Sequence, residues 1–390
     1  MIQTLVAELQ ISAPLIMSGH TSLEKGDSLR PSAIKGALRF WWRALQWPQL
    51  RESHASDQEA LKALHQAEAE LFGAAAGESG KQSKVLLRID ARQRLDAQVF
   101  AKGQDLSKSH PGAVYLMGQG QHQRRDGTQS AGLGSSPPLT LLLRWRDSLN
   151  DAERKGLVQA VMALGLLGSV GARARKGFGS LSLLTLTLNG QPLPVPTNLA
   201  ELRHWLADLS RGTADVLPPF TAFGPASRSW VLGLKPAREP LALLNEYGLQ
   251  MMRYRLSDKS AFAGGQQGRG LFKGDSRSLR VVTEGGRPDK APQRAVFGLP
   301  NNVFFIDNKQ TVEVNPGQHE RRASPLFAHL HRFPNGDQVM LATLLPAQFL
   351  PEGEGLGVKH KGKTHALPFA PDWSVIEGFI KQCNGEELMR

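Results

Sequence analysis

Cysteine is nearly absent: the 390 residues hold one, Cys383. A single cysteine excludes an internal disulfide and a thiolate metal site, and it fits a reducing cytoplasm. Cys383 falls in a helical pattern near Ile376 and Phe379, which predicts a packed thiol rather than a nucleophile. Long apolar runs are missing too. The most apolar stretch, residues 157–172, is interrupted by Gln159 and followed by Arg173. It falls short of the ~20 residues that span a bilayer. Residues 1–12 alternate apolar and polar positions without a basic region ahead of an apolar core, so they do not read as a signal peptide. Acidic residues are in deficit, with 35 Asp and Glu against 47 Lys and Arg and a net charge of +12. That surplus favours a polyanionic partner, nucleic acid before an acidic membrane surface; a merely soluble basic protein fits it as well. A soluble cytoplasmic protein is expected, with no membrane and no cofactor.

What is present reads as a two-domain α+β chain. Leu5, Ala7, Leu9 and Ile11 alternate in a strand over residues 4–11. Helices follow over 32–47 and 57–72, the second opened by the capping pair Ser56 and Glu59 and stopped by Gly73. Val85, Leu87 and Ile89 form a second strand, and residues 139–145 a third. Residues 101–138, rich in Gly, Gln, Ser and His, read as a long insertion with a short strand near Tyr115. Asp151 caps a buried helix running to about Gly168, and residues 181–188 make a fourth strand. The order is strand, helix, strand, strand, helix, strand: the ferredoxin-like, RRM-like βαββαβ order, whose open sheet face serves RNA-recognition modules as a platform.

Pro192, Pro194 and Pro196 stiffen a linker, which places a boundary at 190 and divides the chain into 1–190 and 191–390. The second half repeats the logic in degenerate form. It reads as a strand at 230–234, a helix at 240–253, strands at 302–306, 325–333 and 339–345, and a helix at 373–383. Residues 259–294, rich in Gly and Arg, read as a long exposed loop.

On a wheel of ~100° per residue, Ile34, Leu38, Trp41 and Leu45 of the first helix form one narrow core stripe. Lys35, Arg39, Arg43 and Trp42 fall opposite, with Arg30 at the helix start. Cations suit phosphates, and an exposed indole can stack on a base for ~1–3 kcal/mol. A solvated basic face with Trp42 covered by another element is the bland alternative. Gly36 inside the helix suggests a close backbone approach from protein or ligand.

The second feature is the loop 165–179, set between the buried helix and a strand. Its glycines permit positive φ, and successive amides in such turns can form an anion nest. Arg173, Arg175 and Lys176 add charge, and Phe178 can stack or plug the core. The loop has no GxxxxGK[ST] pattern and follows a helix, so it is neither a P-loop nor a dinucleotide fingerprint. The bland alternative is a tight connection with solvated arginines.

The helix motif RPSAIKGALRFWWR at residues 30–43 and the loop 168–180 together resemble the RAMP superfamily of CRISPR proteins. Within it they are most like the first RAMP subunit of type III-B Cmr effector complexes. FGLP at 297–300 and RRASPL at 321–326 resemble that family's second-half motifs, so the likeness spans both halves. The resemblance implies two ferredoxin-like domains and a non-catalytic place near the 3′ end of the crRNA. It also implies contact with target RNA, crRNA or both, and with other RAMP subunits. It carries Arg30, Lys35, Arg39, Trp42, Arg43, Arg173, Arg175, Lys176, Phe178, Arg321 and Arg322 as RNA-contact candidates. Arg321 and Arg322 could equally pair with carboxylates between domains.

Some RAMP relatives are metal-independent endoribonucleases, which makes His20, in a short loop, a possible general base. No second acid–base group is set beside it by sequence. The pairs His329/His331 and His360/His365 give no metal spacing, and a helix-start role suffices for Asp147 and Asp151. A purely structural cap that holds neighbouring subunits is the third reading.

Overall fold

The computed structural model describes residues 2–17, 29–74, 80–90, 97–134, 138–146, 148–209, 211–213, 216–234, 239–256, 262–263, 266–267, 270–305 and 307–389. His20 and Asp147 lie outside them, as does part of the 259–294 segment.

The first half runs β1 (Ile2–Ile11), α1 (Pro31–Glu52), α2 (Asp57–Phe72), β2 (Leu86–Ile89), α3 (Pro111–Met117), β3 (Leu139–Arg146), α4 (Asp151–Leu167), β4 (Leu181–Leu188) and β5 (Gln191–Leu193). The sheet order is β5-β4-β1-β3-β2, every described pairing antiparallel. Leu5, Ala7, Leu9 and Ile11 are all buried, as period-two alternation demands when one face meets a helical layer.

The helix starts are chemically specified. Ser56 Oγ accepts from the Glu59 amide at 3.2 Å, and Gly73 ends α2 at a φ of 80°. For α4 the cap is Asn150 rather than Asp151: Asn150 Oδ1 accepts from Glu153 N, and Glu153 Oε2 accepts from Asn150 N. Asp151 is the first helical residue and meets Arg154.

Helix α1 passes the expected stop at Pro48 and continues to Glu52. Proline lacks the N–H that would bond the carbonyl four residues back. Phe223 N–H, from the second half, donates to that carbonyl, Ala44 O, at 3.1 Å.

The second half runs α5 (Leu199–Ala207), β6 (Arg228–Leu232), α6 (Pro240–Arg255), α7 (Lys273–Thr283), β7 (Asn301–Phe305), β8 (Gln310–Asn315), β9 (Leu326–Arg332), β10 (Gln338–Leu344), β11 (Leu356–His360), β12 (Lys363–Leu367), α8 (Ser374–Gln382) and β13 (Glu386–Met389). One sheet has the order β9-β10-β6-β13 and another the order β7-β8-β11-β12.

Two expectations fail here. Tyr115 lies in helix α3, not a strand. The helix start is fixed from outside: Asn245 Oδ1 of α6 accepts the amides of Gly112 and Ala113 at 2.8 and 3.3 Å. A Cβ on Gly112 would lie 2.0 Å from Asn245 O, so only glycine permits the crossing. The stretch 259–294 is not one exposed loop either. It contains α7, which buries Leu279, Val282 and Asp275, and the Asp275 carboxylate accepts the Gln293 and Arg294 amides at 3.0 and 3.1 Å.

The two halves share cores. Phe327, Leu341 and Met389 join the core of the first sheet, while Phe178 and Met117 join that of α6 and α8. Strand β9 is an edge of its sheet, and a sheet edge leaves backbone groups unpaired. Three serines of the first half occupy them. Ser180 Oγ accepts from Leu330 N at 3.0 Å, Ser182 Oγ accepts from Arg332 N at 2.8 Å, and Ser12 Oγ donates to Leu330 O at 2.6 Å. Cys383 is packed as expected, and burial pushes its thiol up to about 12. Among the described residues no helix is long and apolar enough to cross a membrane.

Candidate nucleic-acid interface

The outer face of α1 is cationic but tethered. Arg39 Nε and Arg43 Nη1 both donate to Glu68 Oε1, at 2.6 and 2.5 Å. Glu68 itself is buried, so one carboxylate of α2 holds two guanidiniums that are each about a third exposed. Lys35, half-buried, has its ammonium pushed down by partial desolvation and then by the Arg39 charge. Arg30 is exposed at the helix start. A Cβ on Gly36 would meet nothing among the described residues, so no protein contact requires a glycine there.

Trp42 is not on that face. It is 4% exposed, and its ring meets Phe72 edge-on with centroids 5.9 Å apart. Its position is only ~40° round the helix from Leu38, so it widens the core stripe to two flanks. One flank packs on α2 and the other on α4, where Gly156 lets the indole approach. The apolar character of α4 on most sides was the available signal that further helices cover it.

Part of the loop backbone is withdrawn from any nest. The amides of Val170, Ala172, Lys176, Gly177 and Gly179 donate to carbonyls within the fold. Those five amides are not available to an anion. Phe178, between Gly177 (φ 90°) and Gly179 (φ 65°), is fully buried and plugs the shared core, so it is not an RNA contact. A Cβ on Gly179 would lie 2.0 Å from Val170 O, which forbids any other residue there without rearrangement.

Three cations of the loop point in different directions. The Arg175 guanidinium lies between two rings, 5.5 Å from the Phe40 centroid and 4.6 Å from that of Phe327. It donates to Ser324 O at 2.5 Å, and burial followed by the Arg322 charge pushes it down to about 10. Arg173 has a φ of 61° and is exposed; its guanidinium reaches Gly118 and Gly120, where a Cβ would stand 3.3 Å away. Lys176 keeps some open surface, yet its ammonium lies deep among protein atoms. Desolvation first, then Arg255, Arg173 and Arg175, push it down to about 7. No carboxylate among the described residues offsets that cluster.

Arg322 donates to Gln348 O at 3.0 Å and lies 5.4 Å from the Phe349 centroid. Arg321 is exposed and its charge acts on Arg173. Neither arginine has a carboxylate partner among the described residues, so the alternative of inter-domain ion pairs is not realised.

These segments meet. A groove of about 410 Å³ is lined by Phe40 and Arg43 of α1, His65 and Glu68 of α2, Arg175 of the loop and Arg322 of the second half. Arg43, Arg175 and Arg322, far apart in sequence, share one concavity, and Glu68 is its carboxylate. His65 was not anticipated; it stands on the exposed side of α2, one turn before Glu68. Among the described residues no group of His, Cys, Asp or Glu is arranged to hold a metal ion.

Residues 13–182 match the sequence profile of the RAMP superfamily. No curated protein matches the sequence at a significant level. The fold is similar to the apo crystal structure of Cmr1 from Pyrococcus furiosus, with a TM-score of 0.52, 17% identity, and coverage of 100% of this chain and 99% of that one. It is also similar to a chain in the cryo-EM structure of type III-B Cmr-beta bound to cognate target RNA, with a TM-score of 0.51, 14% identity, and coverage of 98% and 99%. The stretch 13–182 thus carries the RAMP superfamily pattern, and the fold of the whole chain is that of these Cmr proteins.

Proposed function

We propose that this chain is a non-catalytic RNA-binding subunit of a type III-B CRISPR effector complex, placed near the 3′ end of the crRNA and touching target RNA. In this reading it has two ferredoxin-like halves divided near residue 190. The likeness to Cmr1, and to a chain of a Cmr complex bound to target RNA, supports the assignment. The sheet orders support the division. Counting only the strands of each βαββαβ unit, β4-β1-β3-β2 and β13-β6-β10-β9 share the order fourth, first, third, second.

The groove carries the RNA reading. Four guanidiniums line it or its rim (Arg39, Arg43, Arg175 and Arg322) against the carboxylate of Glu68. An excess of fixed positive charge in a concave, partly desolvated site attracts phosphates. Two of the arginines are held on aromatic rings, which lowers the cost of ordering them on binding. Lys176, Arg173 and Arg321 extend the field beyond the groove. The non-catalytic part of the reading rests on Glu68: it is engaged by two arginines, which leaves His65 without a free carboxylate in the groove among the described residues.

The experiment is a titration of single-stranded RNA at several salt concentrations, with gel analysis of the recovered RNA. Intact RNA is expected, together with a linear fall of log K against log salt whose slope is about −0.7 per phosphate contact. Salt-independent binding, or defined cleavage products, would overturn the reading.

A further inference from the structure

Among the described residues, the first sheet has a face that no core uses. Helices α1 and α4 lie on the side of Leu5, Ala7 and Leu9. The other side is set by register. Ile2 stands opposite Arg146; Thr4, Arg144 and Leu86 form one row; Val6, Leu142 and Arg88 form the next. Ile2 and Leu86 are 68% and 65% exposed, and Arg88, Arg144 and Arg146 are exposed as well. Val6 and Leu142 belong to none of the three core clusters. The three arginines have no carboxylate partner among the described residues, and Glu8, on the same face, is occupied with Thr140 Oγ1 at 3.0 Å.

This face lacks what an RNA-binding sheet uses. None of the residues in these rows is aromatic, which leaves base stacking to the arginine guanidiniums alone. Aliphatic side chains interleaved with unpaired arginines have the make-up of a protein interface, in which Arg is enriched and apolar contacts fill the centre. Exposed aliphatics gathered on one face also mark an interaction surface more than scattered ones do.

We propose that this face docks a neighbouring protein subunit, through a surface that presents carboxylates among aliphatic side chains. The proposal rests on membership of a multi-subunit complex, argued above. Charge complementarity selects the partner: three guanidiniums on strands β2 and β3 would be left desolvated and unpaired under a neutral or basic surface. RNA contact belongs to the groove and loop, which the core-forming helices and the second half build away from this face.

The test is reconstitution with the remaining type III-B Cmr subunits and crRNA, using the full chain as wild type, as Arg144→Glu plus Arg146→Glu, and as Leu86→Asp. These positions are exposed, and circular dichroism checks that each variant folds. Wild type is expected to co-elute with the complex. Both variants should incorporate at least about ten-fold more weakly, while the isolated proteins keep RNA affinity within about two-fold of wild type. Normal incorporation of both variants would overturn the proposal. So would normal incorporation with lost RNA affinity, which would make the face an RNA surface. If the wild type fails to join while still binding RNA, complex membership falls and this proposal with it.

Discussion

Arg43 Nη1 lies 2.5 Å from Glu68 Oε1, and the same oxygen receives Arg39 Nε. A carboxylate that is almost fully buried thus organises the cationic face of α1 and moderates its charge at once. Glu68→Gln should separate these roles. Losing a buried charged partner is expected to destabilise the fold by ~1–3 kcal/mol, the lower end applying because the arginines keep access to water. RNA binding should tighten and its salt dependence steepen. Thermal denaturation and RNA titration of the same variant check both signs.

Lys176 links charge to binding. Its ammonium is held down to about 7, below the ordinary lysine value of 10.5, by desolvation and three arginines. The folded state therefore disfavours the charged form. The stability this site contributes is full above pH 10.5 and is lost as pH falls toward about 7. A bound phosphate favours the charged form, so RNA affinity should rise as pH falls from about 8.5 to about 6. Lys176→Met should stabilise the free protein near neutral pH, weaken RNA binding and remove most of that pH dependence. Arg173→Ala added to it should flatten the salt slope further, by about 0.7 per lost phosphate contact. Titrations at three pH values and a urea melt measure these effects.

The seam between the halves carries an acid-sensitive pair. His329 Nδ1 meets Gly168 O at 2.8 Å, and its Nε2 lies 3.3 Å from His331 Nδ1. Both rings are buried; desolvation, and for His329 also the His331 charge, hold them below the ordinary histidine value of 6.5, His331 down to about 4. The unfolded chain binds these protons more readily. The stability this pair contributes should be constant above pH 6.5 and fall as pH drops toward about 4. Urea melts across that window test it, and His331→Phe should flatten the fall.

Trp42 serves as a core residue. Trp42→Ala should cost ~3–5 kcal/mol of stability, as truncations of large buried aromatics do. At temperatures where the variant stays folded, the RNA salt slope should match wild type. A stable variant with weakened RNA binding would restore the stacking role.

The first half was legible where burial is one-sided. Strands β1 and β3 alternate because one face meets helices, and α2 announces itself by Ser56 and Gly73. Trp42 was misread because a helix covered on two flanks shows a stripe wider than one wheel sector. Helix α3 was missed because its start is capped by Asn245, more than a hundred residues away, and no local pattern reports that. Helix α7 hides its order in Asp275, a buried carboxylate that reads from sequence as solvated charge. Strands β11 and β12 were passed over among Lys, Gly and His, where alternation is weak, and β8 is too short a run for its Val312 and Val314 alternation to stand out. Of the candidate residues, Arg43, Arg175 and Arg322 are brought to one groove, whereas Trp42 and Phe178 went to the core. His65 gave no motif, because only the packing of the two halves brings it into the same groove lining as Arg175 and Arg322.

The most direct test of the account removes the two groove arginines that do not hold the loop in place. RNA titrations at several salt concentrations compare wild type with Arg43→Ala plus Arg322→Ala. Binding should weaken in the double variant, and the log K against log salt slope should be shallower by about 1.4, two phosphate contacts at about 0.7 each. An unchanged slope in a folded double variant would contradict the groove as the place where RNA is held.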